Sequence, residues 1–145
     1  MTTIAAATTN AAATVRPGKV RNRVLWGLQI VLGLFFIVAS GLPKVLDMVP
    51  EENMAAMREA GFGSPWFMYF VGICEIAGGV GLLVRRLSGP AAVGLSVLTL
   101  LAAATNLFLT DMPAYAPFPL VLSGIFAWIA YERRDTLALR SLFTR

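Results

Sequence analysis

The chain has no histidine, a single cysteine (Cys74), and only 14% charged residues. Each scarcity removes a class of function. One cysteine makes no intrachain disulfide and no Cys-x-x-Cys redox pair, and it cannot hold an iron–sulfur cluster. Without histidine there is no His-ligated haem and no His-containing zinc or copper site. No covalent cofactor and no metal site is therefore expected. Any redox group the protein uses is bound non-covalently or belongs to a partner. Average soluble domains carry about 25% charged residues, so this chain has too little polar surface to cover a soluble globule. The net charge of +4 does not point to nucleic acid, because the bases fall where membrane topology wants them.

Apolar residues are abundant: 57% of 145 residues, in long blocks. A bilayer-spanning helix needs about 20 apolar residues. The length suits one domain. The reading is an all-α integral membrane four-helix bundle occupying residues 21–134, with spans at about 24–46, 66–84, 90–109 and 115–131. Residues 1–20 are rich in Ala and Thr and are predicted as a disordered tail. Residues 135–145 form a charged tail whose Leu137, Leu139, Leu142 and Phe143 suit a membrane surface. A cleaved signal peptide ending near Ile37–Gly41 competes with the first span. That apolar stretch exceeds the usual h-region of about 7–15 residues, so it is read as a retained helix.

Between the first two spans, Glu51-Glu52, then Met54, Met57 and Arg58, then Gly61, read as a short helix. Acids stand in its first turn, a base near its end, and a glycine stops it. Its methionines suit the membrane surface or a cap on the bundle, a lid without further function.

Arg16, Lys19, Arg21, Arg23, Arg85, Arg86, Arg133, Arg134, Arg140 and Arg145 fall on one side, and only Lys44 and Arg58 on the other. The positive-inside rule places both termini in the cytoplasm. Trp66, Phe67, Tyr69 and Phe70 form an outer aromatic belt, and Trp26, Trp128 and Tyr131 an inner one. The expected location is the inner (cytoplasmic) membrane of a bacterium, with the lipid bilayer as first partner.

Glu75 is the sharpest feature. It lies mid-helix, where an ionised carboxylate is costly and is normally functional or paired. Its helical neighbours Val71, Gly72, Gly78 and Gly79 let another backbone approach, so it faces a helix contact and not lipid. It is either a proton-accepting or ligand-binding carboxyl, or a neutral group that hydrogen-bonds the bundle. Lys44 is its candidate partner, on a face with Gly33, Ile37, Ser40 and Gly41. Pro43 beside it should loosen the last turn and free a carbonyl. Counted from Val24, Lys44 stands about 30 Å up the helix. Depth alone thus favours snorkelling to the outer headgroups over a direct bridge. Asn106, on a face with Thr99, Ala102 and Ala103, must also face inward, and a plain interhelical hydrogen bond is expected for it. Gln29 reads as structural glue and Cys74 as an inert small residue. Gly33, Gly41, Gly72, Gly78 and Gly79 read as helix-packing positions.

The order of short motifs carries a family resemblance. Gly41-Leu42-Pro43-Lys44 closes the first span, Gly61-Phe62-Gly63 precedes an aromatic run, and Val71-Gly72-Ile73-Cys74-Glu75-Ile76-Ala77-Gly78-Gly79 follows. From about Arg21 to Arg134 the chain resembles the DoxX and DoxX-like family of small bacterial membrane proteins. The resemblance implies a four-helix membrane bundle. It implies a role beside membrane-associated oxidoreductases, because some members resemble the small subunit of a thiosulfate:quinone oxidoreductase. Lys44 and Glu75 match the family's typical Lys and Glu. Asn106 stands where many relatives carry His, and an amide does not titrate, which weakens a proton-relay role there.

Three functional readings follow. The first is a subunit or accessory of a redox or quinone-linked system, with an outer-half site lined by Glu75, Lys44 and Asn106 and a quinone as ligand. The second is a structural or assembly module without catalysis. The third is a small permease, disfavoured because four helices are few and no inverted repeat is visible. So small a chain also suggests a homo-oligomer or an oxidoreductase partner.

Overall fold

The computed structural model describes residues 18–137. The remainder of the two expected tails, including Leu139, Leu142 and Phe143, lies outside the described residues. Helix α1 runs over Lys19–Val45. A short helix α2 (Glu51–Glu59) follows, then α3 (Pro65–Leu83), α4 (Ser88–Phe108) and α5 (Pro117–Glu132). Among the described residues there is no strand. Helices α1, α3 and α4, and the segment Pro113–Glu132 that α5 completes, are each long and apolar enough to cross a membrane. They run alternately up and down, joined at one end by the basic turn Arg85–Leu87 and at the other by longer loops. These are called below the basic end and the loop end.

The bundle is inside-out relative to a soluble protein. Only 22–33% of each apolar window is buried, and Val31, Val38, Phe70, Leu101 and Val121 point outward. Those side chains need hydrocarbon around them, so this is a membrane helix bundle. The expected spans are present, with one shift: α1 begins at Lys19, five residues before the expected Val24. The polar flank Lys19–Arg23 continues the helix because it has no Pro or Gly to break it.

Near its end α1 widens. Over Phe35–Gly41 the backbone bonds run to the fifth residue back, and Leu42 N–H reaches the Ile37 carbonyl. Pro43 offers no N–H, and its ring would press on the carbonyl four residues earlier. Widening the turn ahead of it relieves that clash. The helix then stops at Asp47, which takes a positive φ of 57°, with Met48 N–H on the Pro43 carbonyl at 2.8 Å. Helix α2 ends by the same device. Gly61 sits at φ +83° and Phe62 N–H meets the Met57 carbonyl at 2.8 Å.

Glycines set how close α1 and α3 come. A Cβ on Gly79 would lie 2.7 Å from the Gly33 carbonyl oxygen, and one on Gly72 would lie 2.9 Å from that of Gly41. Gly78 faces α4 instead, against Leu95. Helices α4 and α5 are joined by reciprocal bonds in which Ser96 Oγ donates to the Ser123 carbonyl and Ser123 Oγ to that of Ser96, both at 2.9 Å.

The half toward the basic end is solid. Leu25, Leu82, Phe126 and Ile129 are fully buried there, and Leu95 nearly so. Beyond them Arg133 donates to Asn22 Oδ1 (3.0 Å) and Gln29 Oε1 (3.3 Å) and lies over the Trp26 ring. Burial, and then Arg85, lower the Arg133 pKa from its ordinary value. Gln29 is thus a bundle contact, as expected.

Candidate functional site

The half toward the loop end is hollow. A cavity of about 430 Å³ opens among α1, α3, α4 and α5, with α2 as its roof. The widened turn of α1 supplies Phe35, Phe36, Ala39 and Ser40. Helix α3 supplies Met68 and Glu75, α4 supplies Thr99, Ala102 and Asn106, and α5 supplies Phe118 and Leu122. Asn53, Ala56 and Met57 of the short helix face it from above. The expected lid is therefore part of a site wall.

Lys44 and Glu75 meet on this wall. Lys44 Nζ donates to Glu75 Oε2 at 2.7 Å and to the backbone and side-chain oxygens of Ser40, both at 3.1 Å. The snorkelling expected of Lys44 is overturned. Depth counted along α1 alone misses the offset between α1 and α3. Gly72 lies against Lys44 and Val45, so α1 stops level with Gly72. Helix α3 continues outward from there to Pro65, about 10 Å further. The end of α1 is thus one turn from Glu75 and lies beneath the rim of the bundle, where the short lysine tether reaches the carboxylate.

The three donors of the ammonium are all used within the protein. Glu75 differs: the residue is only 7% exposed, yet Oε1 has no hydrogen bond among the described residues and opens to the cavity. Asn106 differs as well. No interhelical bond of its side chain is found among the described residues, correcting that expectation; the amide is half-buried and lines the cavity. At this level the cavity lies beside α4, and the amide faces it. Thr99 Oγ1 is turned back onto the Leu95 carbonyl at 2.7 Å. The site thus presents a pinned cation, an open carboxylate oxygen and a free amide, in walls that are otherwise mainly apolar. Cys74 is half-buried and does not line the cavity.

Several contributors were not singled out from sequence. Phe35, Phe36 and Phe118 look like any lipid-facing aromatic in a membrane span. The signal for the widened turn was Pro43 itself. The Ser96–Ser123 clasp was signalled by two hydroxyls in otherwise apolar helices.

Fold and site together define a small four-helix membrane protein with a blind, lidded cavity that carries a lysine–carboxylate pair. The chain belongs to the DoxX-like family, whose sequence profile matches residues 27–130. No curated protein and no solved structure matches it.

Proposed function

We propose that this protein is the membrane component of a quinone-linked redox system, and that its cavity seats the quinone head. The observation that carries this reading is the ion pair at the cavity wall with one carboxylate oxygen left open. A cavity of about 430 Å³ suits a single substituted ring, since pockets of about 300–1,000 Å³ hold small organic ligands. Apolar walls take the ring faces, and a few polar groups fix the ring oxygens.

The roles follow from which atoms are free. Glu75 Oε1 accepts from a ring hydroxyl and is the group that exchanges a proton with it. The Asn106 amide either donates to a carbonyl or accepts from a hydroxyl, so it serves both redox forms of the ring. It does not titrate, so proton exchange falls to Glu75. Lys44, held by Ser40, occupies Oε2 and orients the carboxyl group, which leaves Oε1 to the ligand. Electrons pass between the ligand and a membrane-associated oxidoreductase partner, consistent with a chain that lacks histidine and has one cysteine. The bases gathered at one end favour a cytoplasmic basic end and an outward loop end in a bacterial inner membrane.

Native mass spectrometry of the protein extracted gently from its own membranes tests the reading. A retained quinone, or an oxidoreductase bound in fixed ratio, is expected. Glu75→Gln should then keep expression and lose quinone-dependent turnover. Only phospholipid in the complex, or full turnover in Glu75→Gln, would sink the proposal. A second reading has its own support: the saturated bonding of Lys44 equally suits a pure pin between α1 and α3 in an assembly module. A permease is not favoured, because the cavity ends on the packed Phe36, Leu122 and Phe126.

A further inference from the structure

We infer that ligand enters the cavity sideways from the bilayer, through the seam between α1 and α5, so that it is a membrane-dissolved amphiphile whose chain remains in that seam. The inference deepens the proposed function and rests on it for the head group; the route does not depend on which head is bound.

The seam is where the bundle is weakest. Helix α1 packs along α3, α3 on α4, and α4 on α5, whereas α1 and α5 meet through side chains. Toward the basic end these contacts are strong: Arg133 binds Asn22 and Gln29, and Phe36 meets Phe126 edge-on at 5.2 Å. Toward the loop end they thin out. Along one face of α5 exposure rises from 0% at Phe126 through 8% at Leu122 to 62% at Phe118. These residues are four apart, so they share a stripe, and the gradient marks where that stripe of α5 loses its cover. The same happens on α1, where Phe36 is 2% exposed and Ala39 is already exposed.

Among the described residues one aromatic pair bridges the seam at this level. Phe35 and Phe118 meet edge-on at 6.2 Å, and both rings also line the cavity. One edge-to-face pair is worth little and turns easily, so it forms a gate and not a wall. On the water side the cavity is roofed by α2, whose last turn is closed by Gly61. The lipid-facing side offers an apolar way in beside that roof. An apolar chain passing between the rings moves from lipid to an apolar seam at little cost, whereas a charged solute would have to cross hydrocarbon.

The test uses full-length protein in nanodiscs with Cys74→Ala as background and Ala102→Cys as a reporter on the cavity wall. A membrane-partitioning maleimide and a permanently charged, water-restricted methanethiosulfonate are compared on the reporter. Each rate is scaled to that on a lipid-facing control, Leu120→Cys, and a loop control, Met48→Cys. The maleimide should label the reporter, with the charged reagent about 100-fold slower. Adding Phe35→Ala and Phe118→Ala should speed the maleimide about 2- to 10-fold, the loss of one aromatic contact, and leave the charged reagent unchanged. No labelling by the maleimide, equal scaled rates, or no response to removal of both rings overturns the lateral route. Protection of the reporter by a decyl-chain benzoquinone is read separately: its absence refutes the quinone head without touching the route.

Discussion

Replacing Lys44 by Met and Glu75 by Gln, singly and together, measures what the pair contributes. Met keeps most of the lysine stem, so packing is largely retained. With Lys44→Met, Glu75 stays 7% exposed and loses its hydrogen-bond donor. An uncompensated buried charge costs about 3–5 kcal/mol. With Glu75→Gln the ammonium keeps both Ser40 oxygens, and the lysine side chain is 21% exposed. Only one charge-assisted bond weakens, and the amide oxygen still accepts, so the cost is about 1.5 kcal/mol, the low end for a charged hydrogen bond. The order is thus fixed: Lys44→Met costs more than Glu75→Gln, and the double variant costs less than Lys44→Met. Neutral interhelical bonds in bilayers average about 0.6 kcal/mol and reach about 1.7. A coupling above that ceiling identifies an ion pair. Unfolding by steric trapping in bicelles of one lipid composition gives the needed free energies. Additivity within about 0.5 kcal/mol, or a larger loss in Glu75→Gln, would refute the reasoning.

Other outcomes follow from the same geometry. Gly79→Ala should destabilise by about 1–3 kcal/mol in that assay, because its Cβ meets the Gly33 carbonyl oxygen at 2.7 Å and Ile37 Cγ1 at 2.8 Å. Gly124→Ala, with nothing within 4 Å, should stabilise by about 0.4–1 kcal/mol, and equal signs for the two would contradict the packing described. Gly61→Ala places a side chain at φ +83° and should cost about 1–2 kcal/mol locally, read as faster amide exchange in α2 with the spanning helices unchanged.

Much of this was legible because hydrocarbon is an unforgiving solvent. A backbone crossing it must satisfy its own hydrogen bonds, and apolar blocks of about 20 residues do so as helices, so four such blocks reveal four spans to within a few residues. An acid in such a span cannot face lipid, which made Glu75 conspicuous. Glycines beside it implied close backbone approach, and Gly33 and Gly79 do touch across the α1–α3 interface. What stayed illegible was relative height. Lys44 was placed at the boundary by counting along its own helix, yet its depth depends on how far α3 overhangs it. Asn106 was expected to bond a neighbour, and no residue pattern says that it lines a cavity instead.

The sequence by itself therefore determined the spans, their alternation, the lid helix with its glycine stop, the family and the residues worth watching. These rest on local properties: hydropathy, helix period, capping chemistry and the cost of charge in lipid. Only the tertiary structure decided that Lys44 reaches Glu75, that Asn106 faces a void, and that Phe35 meets Phe118 over an open seam. Each depends on the offset and splay of one helix against another. Those offsets come from the sum of many small side-chain contacts, and no single stretch of sequence carries that sum.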